Sequence, residues 1–219
     1  MNSTLPALNK SVPRTKEIES ICVFCGSGNG GRPEYVESAS ELGKAFAENK
    51  YTLVYGGGSV GVMGAVARGV IDNGGHVKGV VPEPLFRHGS KQIATETIVV
   101  ADMHTRKKTM GDLCDAFVVL PGGFGTAEEM LEMITWSQLN IHSKPILLLN
   151  INGYYDLFIK WIEHCVEEKF IHGNNARIFV VCNTVQECLD ALKNYEAPEG
   201  RYGLDWVKTE DGQSGRNMT

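Results

Sequence analysis

A chain of 219 residues with 42% hydrophobic content has room for one α/β domain with a full core and too little for two. Its 26 acidic residues outnumber 21 basic ones and no run of lysine or arginine appears, which excludes the electrostatic footprint of a nucleic-acid or anionic-membrane binder. No segment has the apolar length of a membrane span, and residues 1–17 lack the apolar centre of a signal peptide, so a cytoplasmic protein is expected.

Residues 1–17 read as a flexible polar leader and residues 18–195 as one domain. The first apolar run, 21–25, has strand length and holds Cys22 and Cys25 in C-x-x-C spacing. Residues three apart on a strand face opposite sides, and no second cysteine pair has ligand spacing, so buried reduced thiols are expected rather than a redox or zinc centre. Tyr35, Ala39, Leu42, Gly43 and Phe46 then recur at helical spacing. Further runs at 53–55, 77–81, 97–100, 116–120, 146–149 and 178–181 bring the count to seven strands. Met130, Met133 and Ile134 repeat the helical pattern, and with Trp136 they suit either core or a dimer surface. Runs that are apolar throughout and joined by helices predict a Rossmann-like α/β fold, with a mostly parallel seven-stranded sheet and helices on both faces. From 196 to 219 the sequence is polar and aperiodic, and a flexible tail is expected despite Trp206.

Open parallel sheets bind ligands beyond the carboxyl ends of their strands, and here those positions are rich in glycine. The first run leads into Gly26-Ser27-Gly28-Asn29-Gly30-Gly31, the second into Gly56-Gly57-Gly58-Ser59-Val60-Gly61, and the fifth into Pro121-Gly122-Gly123-Phe124-Gly125-Thr126. Glycines at such turns let backbone amides approach a phosphate, and the helix that follows adds unpaired N–H groups and the positive end of its dipole. Gly56, Gly58 and Gly61 also spell G-x-G-x-x-G, with Glu83 placed to meet a ribose hydroxyl as in a dinucleotide site. That pattern follows the second strand rather than the first, and it leaves the 121–126 loop without a task.

The fourth run leads into Asp102-Met103-His104-Thr105-Arg106-Lys107, in which Asp102 reads as a helix N-cap. Arg106 and Lys107 then face the unfavourable end of the macrodipole, a cost that a bound phosphate, a neighbouring carboxylate or solvation would offset. Thr126-Ala127-Glu128-Glu129 reads on spacing alone as a capping box, with Thr126 as N-cap and Glu129 reaching back. The loop before it gives Glu129 a second reading, as a carboxylate held beside any sugar whose phosphate the glycines grip.

The string Pro121-Gly122-Gly123-Phe124-Gly125-Thr126-Ala127-Glu128-Glu129, with Met103-His104-Thr105-Arg106-Lys107 upstream, resembles the P-G-G-x-G-T-x-x-E and M-x-x-R-K motifs of the Lonely Guy family. These are cytokinin riboside 5′-monophosphate phosphoribohydrolases, sometimes mislabelled lysine decarboxylases. The likeness runs from about Ile18 to Tyr195 and includes residues 56–64 and Thr135-Trp136-Ser137-Gln138-Leu139. It implies a Rossmann-like homodimer or larger assembly of dimers that hydrolyses the N-glycosidic bond of an adenosine 5′-monophosphate, N6-modified or plain, to free base and ribose 5-phosphate.

By that resemblance Arg106 and Glu129 form the catalytic pair. Gly26, Ser27, Gly57, Gly58, Ser59, Gly61, Gly122, Gly123, Gly125 and Thr126 contact phosphate and ribose, while Asp102, Met103 and Lys107 line the neighbouring site. The first loop departs from the family's common C-G-S-S, reading Cys25-Gly26-Ser27-Gly28, so only a backbone N–H is offered at Gly28. The competing expectation is a nucleotide or cofactor carrier of the molybdenum-cofactor-carrier kind, against which the Arg106 and Glu129 pair argues. The six histidines show no ligand spacing, and neither a metal nor a cofactor is expected.

Overall fold

Strands built from valine, isoleucine, leucine and phenylalanine throughout have no polar face to show to water, so they assemble where helices cover both sides. The computed structural model describes residues 17–88, 91–204 and 206. Its seven strands are β1 (Ser20–Phe24), β2 (Thr52–Tyr55), β3 (Val77–Pro82), β4 (Glu96–Val100), β5 (Ala116–Val119), β6 (Ile146–Leu149) and β7 (Val180–Cys182). They form one sheet in the order β4-β3-β2-β1-β5-β6-β7, every pairing parallel. The connecting helices are α1 (Glu34–Glu48), α2 (Gly61–Ile71), α3 (Glu83–Arg87), α4 (Met103–Asp112), α5 (Phe124–Gln138), α6 (Asp156–Glu167) and α7 (Val185–Asn194).

Alternation along β1 divides the core. Ile21, Val23 and Cys25 join the layer under α1, α2 and α7, whereas Cys22 and Phe24 join the layer under α4, α5 and α6. Cys22 and Cys25 therefore face opposite sides, as strand geometry requires. All six cysteines are free thiols; Cys165 is partly exposed and the other five are buried. Met130 and Met133 are buried in the second layer with Trp136 packed against them, so that stripe is core.

The chain builds β1 to β4 outward in one direction, then crosses back to place β5 on the other side of β1. The carboxyl ends of β1 and β5 thus flank the switch point, where an open parallel sheet leaves a crevice.

Beyond residue 196, Arg201, Tyr202 and Trp206 meet the end of α5 and the loop that follows it. Arg201 donates to the carbonyls of Ser137 (3.2 Å) and His142 (2.9 Å), Tyr202 N–H to Gln138 O (2.9 Å), and Trp206 Nε1 to Leu139 O (2.8 Å). The physical reason lies in the helix, whose last carbonyls lack intrahelical donors and recruit them from this segment. All of the leader expected at 1–17 except Glu17 lies outside the described residues, as do residue 205 and residues 207–219. No described helix is long and apolar enough to cross a membrane.

Candidate active site

At the switch point the first loop is stitched to the fifth. Gly26 N–H donates to Pro121 O at 3.0 Å. A Cβ at Gly122 would lie 2.1 Å from Thr126 Oγ1 and 2.7 Å from Gly26 N, so only glycine permits this approach. The same first loop closes onto α2: Gly28 O accepts from Val62 N–H (3.2 Å) and Gly26 O from Met63 N–H (3.0 Å). Gly61 makes that contact feasible, with φ at +63° and its Cβ position 2.2 Å from Ser27 O. Gly58 N–H meets Met63 Sδ at 3.1 Å. The amides of Gly58, Val62 and Met63 are thereby engaged within the protein. Glu83, the acid of the G-x-G-x-x-G pattern, is exposed and pairs with Arg87 at 2.5 Å.

The fifth loop differs. α5 begins at Phe124 with Gly123 as its N-cap, and no side chain caps it. Thr126 is the third helical residue rather than the cap, and the capping-box reading fails. Thr126 is 5% exposed and lies over Gly122, while Glu129 is 7% exposed and turns to Arg106 instead of the backbone. An uncapped first turn presents N–H groups without intrahelical acceptors at the positive end of the dipole. No acidic residue occupies it, and Gly123, Phe124 and Gly125 are exposed, so this helix start is ready for an anion.

Asp102 is the N-cap of α4, accepting from Thr105 N–H at 2.8 Å and from the Thr105 hydroxyl at 3.0 Å. Those hydrogen bonds hold its carboxyl below the usual range. Met103, half exposed, opens the helix. One turn on, Arg106 Nη1 donates to Glu129 Oε1 at 2.9 Å, Nε to Val80 O at 3.1 Å, and Nη2 to Gly56 O at 3.5 Å. The guanidinium thus spans the ends of β2 and β3 and reaches α5. Lys107 turns to Glu128 and to Glu132, the latter at 3.1 Å. Carboxylates rather than solvent offset both cations.

Burial pushes the Glu129 carboxyl above its ordinary value, and the neighbouring Arg106 only partly opposes it. Burial would depress Lys107, but its hydrogen bonds to Glu128 and Glu132 outweigh that and leave it raised. Lys107 is therefore engaged by two acids. Ser27 is exposed and Ser59 partly so, both on loops at this edge. Among the described residues no group of three or more ligand-type side chains could hold a metal ion.

Sequence reasoning passed over Tyr154 and Tyr155, whose hydroxyls donate to Gly122 O and Leu120 O. The usable signal was their place just beyond β6, on the same carboxyl edge as the glycine loops. The whole arrangement couples an anion cradle to a buried acid–guanidinium pair. Six residues of helix rise separate Gly123 from Glu129, about 9 Å.

A family profile described as "Possible lysine decarboxylase" matches residues 63–192. The cytokinin riboside 5′-monophosphate phosphoribohydrolase LOG of Oryza sativa subsp. japonica is 45% identical over 194 residues, covering 88% of this chain and 80% of its own. LOG7 of Arabidopsis thaliana, which bears the same description, is 48% identical over 183 residues, covering 82% and 83%. Among solved structures, the Moco carrier protein of Chlamydomonas reinhardtii aligns with a TM-score of 0.62 at 23% identity, covering 81% of this chain and 96% of that one, a likeness of fold alone. With the profile match and these two relatives in agreement with the motifs at 103–107 and 121–129, the chain belongs to the Lonely Guy family, the family of the cytokinin riboside 5′-monophosphate phosphoribohydrolases.

Proposed function

We propose that this protein is a phosphoribohydrolase that cleaves the N-glycosidic bond of adenosine 5′-monophosphates, N6-modified ones included, releasing the free base and ribose 5-phosphate. The observation that carries the reading is the buried contact of Arg106 with Glu129 at 2.9 Å, one and a half turns from the uncapped start of α5. The activity named for the rice and Arabidopsis relatives supports it. We further infer a homodimer or an assembly of dimers working in the cytoplasm, which sedimentation and fractionation test.

Hydrolysis breaks the bond from C1′ to the base nitrogen. The electron pair leaves with the base, and water supplies hydroxyl to C1′ and a proton to the base. Positive charge builds on the sugar ring and negative charge on the base, so the reaction calls for a carboxylate on one side and a cation on the other. Glu129 stabilises the oxocarbenium-like sugar and orients or deprotonates the water. Arg106 offsets charge at the leaving side; its guanidinium does not give up a proton, so its part is electrostatic. Phosphate bound at Gly123, Gly125 and the start of α5 converts binding into sugar placement, worth about 7 kcal/mol or more when geometry is right.

Wild type and Glu129→Gln incubated with AMP and with N6-isopentenyl-AMP test the proposal. Free base and ribose 5-phosphate from the wild type alone are expected. Equal turnover of adenosine and AMP would remove the phosphate from the argument, and intact nucleotide with wild type would end the hydrolase reading.

A further inference from the structure

Beyond β6 the chain makes a turn that holds two tyrosines against the fifth loop. Residues Ile151–Gly153 form a single 3₁₀ turn in which Asn152 (φ 52°) and Gly153 (φ 70°) take left-handed backbone. Asn150 fixes it, accepting from Tyr155 N–H at 2.7 Å through Oδ1 and donating to Asp156 Oδ1 at 2.8 Å through Nδ2. Tyr155 Oη then donates to Leu120 O at 2.7 Å, and Tyr154 Oη to Gly122 O at 2.5 Å. The carbonyl between them, Pro121 O, accepts from Gly26 N–H at 3.0 Å, and the next, Gly123 O, from Ala127 N–H at 3.0 Å. Four successive carbonyls of the loop are thus engaged.

In a trans peptide the C=O and the following N–H point in opposite directions. A Gly122 carbonyl drawn onto Tyr154 therefore turns Gly123 N–H to the other side, and the Pro121 carbonyl on Gly26 does the same for Gly122 N–H. A loop with glycine at 122 and 123 has little intrinsic preference for one peptide orientation. External donors must supply it. With its acceptors occupied, the segment offers an approaching anion only N–H groups.

Resting on the phosphoribohydrolase reading, we propose that Tyr154 is a positioning residue that orients the Gly122–Gly123 peptide for the phosphate of the substrate, with Tyr155 anchoring the Leu120 carbonyl that precedes it. Tyr154 suits a test because it is 42% exposed and its ring packs edge-on against Tyr35 (5.7 Å) and Tyr155 (5.0 Å), so Tyr154→Phe removes the hydroxyl and keeps the packing.

Calorimetric binding of ribose 5-phosphate and of adenine, each alone, is compared between wild type and Tyr154→Phe, alongside AMP turnover and Tm. Ribose 5-phosphate binding weakened about tenfold is expected, with a matching fall in kcat/KM for AMP and with adenine affinity and Tm unchanged. Unchanged ribose 5-phosphate binding in the variant overturns the proposal, as does an equal loss for adenine or a lowered Tm that accounts for both. Ribose 5-phosphate binding needs no turnover. A wild type that binds it yet leaves AMP intact therefore sinks the catalytic reading while the variant still judges Tyr154, and a wild type that does not bind it overturns the positioning role too.

Discussion

Arg106 Nη1 and Glu129 Oε1 stand 2.9 Å apart on side chains that are each only 9% exposed. A pair so buried is a weak source of stability, because desolvation of two ions offsets most of their attraction. Its persistence at the mouth of an anion cradle fits chemistry better than packing.

Glu129→Gln separates those roles. The amide keeps the shape and still accepts from Arg106, and α5 is not capped by this residue. The variant is expected to fold and to lose at least about a hundredfold in turnover of AMP. Near-normal rates in a folded variant would show that the carboxylate has no part in the reaction.

Arg106→Ala removes the cation and leaves a buried acid behind. About 3–5 kcal/mol of stability is expected to go at neutral pH. Pairing it with Glu129→Gln recovers part of that loss, because the uncompensated charge is then absent. Urea denaturation of the two single variants and the double variant measures the coupling; strictly additive losses would mean that the two residues do not act as a pair.

The pH dependence follows from the raised carboxyl of Glu129. Activity needs the ionised form, so kcat/KM is expected to fall as pH drops through that raised value, with the acid limb above the ordinary carboxylate range. The limb disappears in Glu129→Gln. For stability the sign is opposite: a folded-state value above the unfolded one means that the folded protein binds the proton more tightly. This contribution is complete below the unfolded pKa and is lost as pH rises through the folded pKa. Acid limbs at one pH in wild type and variant would assign the limb elsewhere.

Two glycines of one loop are expected to respond differently to alanine. At Gly122 the added carbon meets Thr126 Oγ1 at 2.1 Å and Gly26 N at 2.7 Å, so Gly122→Ala displaces the junction of the two loops and lowers Tm. At Gly125 nothing lies within 4 Å, so Gly125→Ala folds at least as well as wild type. Its methyl crowds the anion-ready turn, and kcat/KM for AMP is expected to fall without a fall in Tm. Scanning calorimetry beside kinetics checks both.

The strands were legible because a run apolar on both faces has few places to go, and all seven lie where those runs predict, with ends shifted by a residue or two. Arg106 and Glu129 were singled out by their motifs and the carboxyl-end rule, and the fold brings them into contact. The start of α5 was misplaced because Thr126 has the chemistry of a cap, whereas the actual cap, Gly123, offers no side chain at all. Lys107 gave no sign of its partners, since Glu128 and Glu132 meet it only once α4 and α5 are packed. The tyrosine hydroxyls reach carbonyls 32 and 35 residues earlier in the chain, a separation that no local pattern reports. Docking of Arg201 and Trp206 was hidden for the same reason: the acceptors belong to a helix end some 60 residues back.

The burial of five thiols, Cys22 and Cys25 among them, leaves Cys165 on α6 as the partly exposed one. In the folded protein Cys165 is therefore the thiol expected to meet a maleimide dye first. Labelling there requires no engineered cysteine and no removal of existing ones, and the remaining thiols act as a chemical clock that starts only when the chain unfolds.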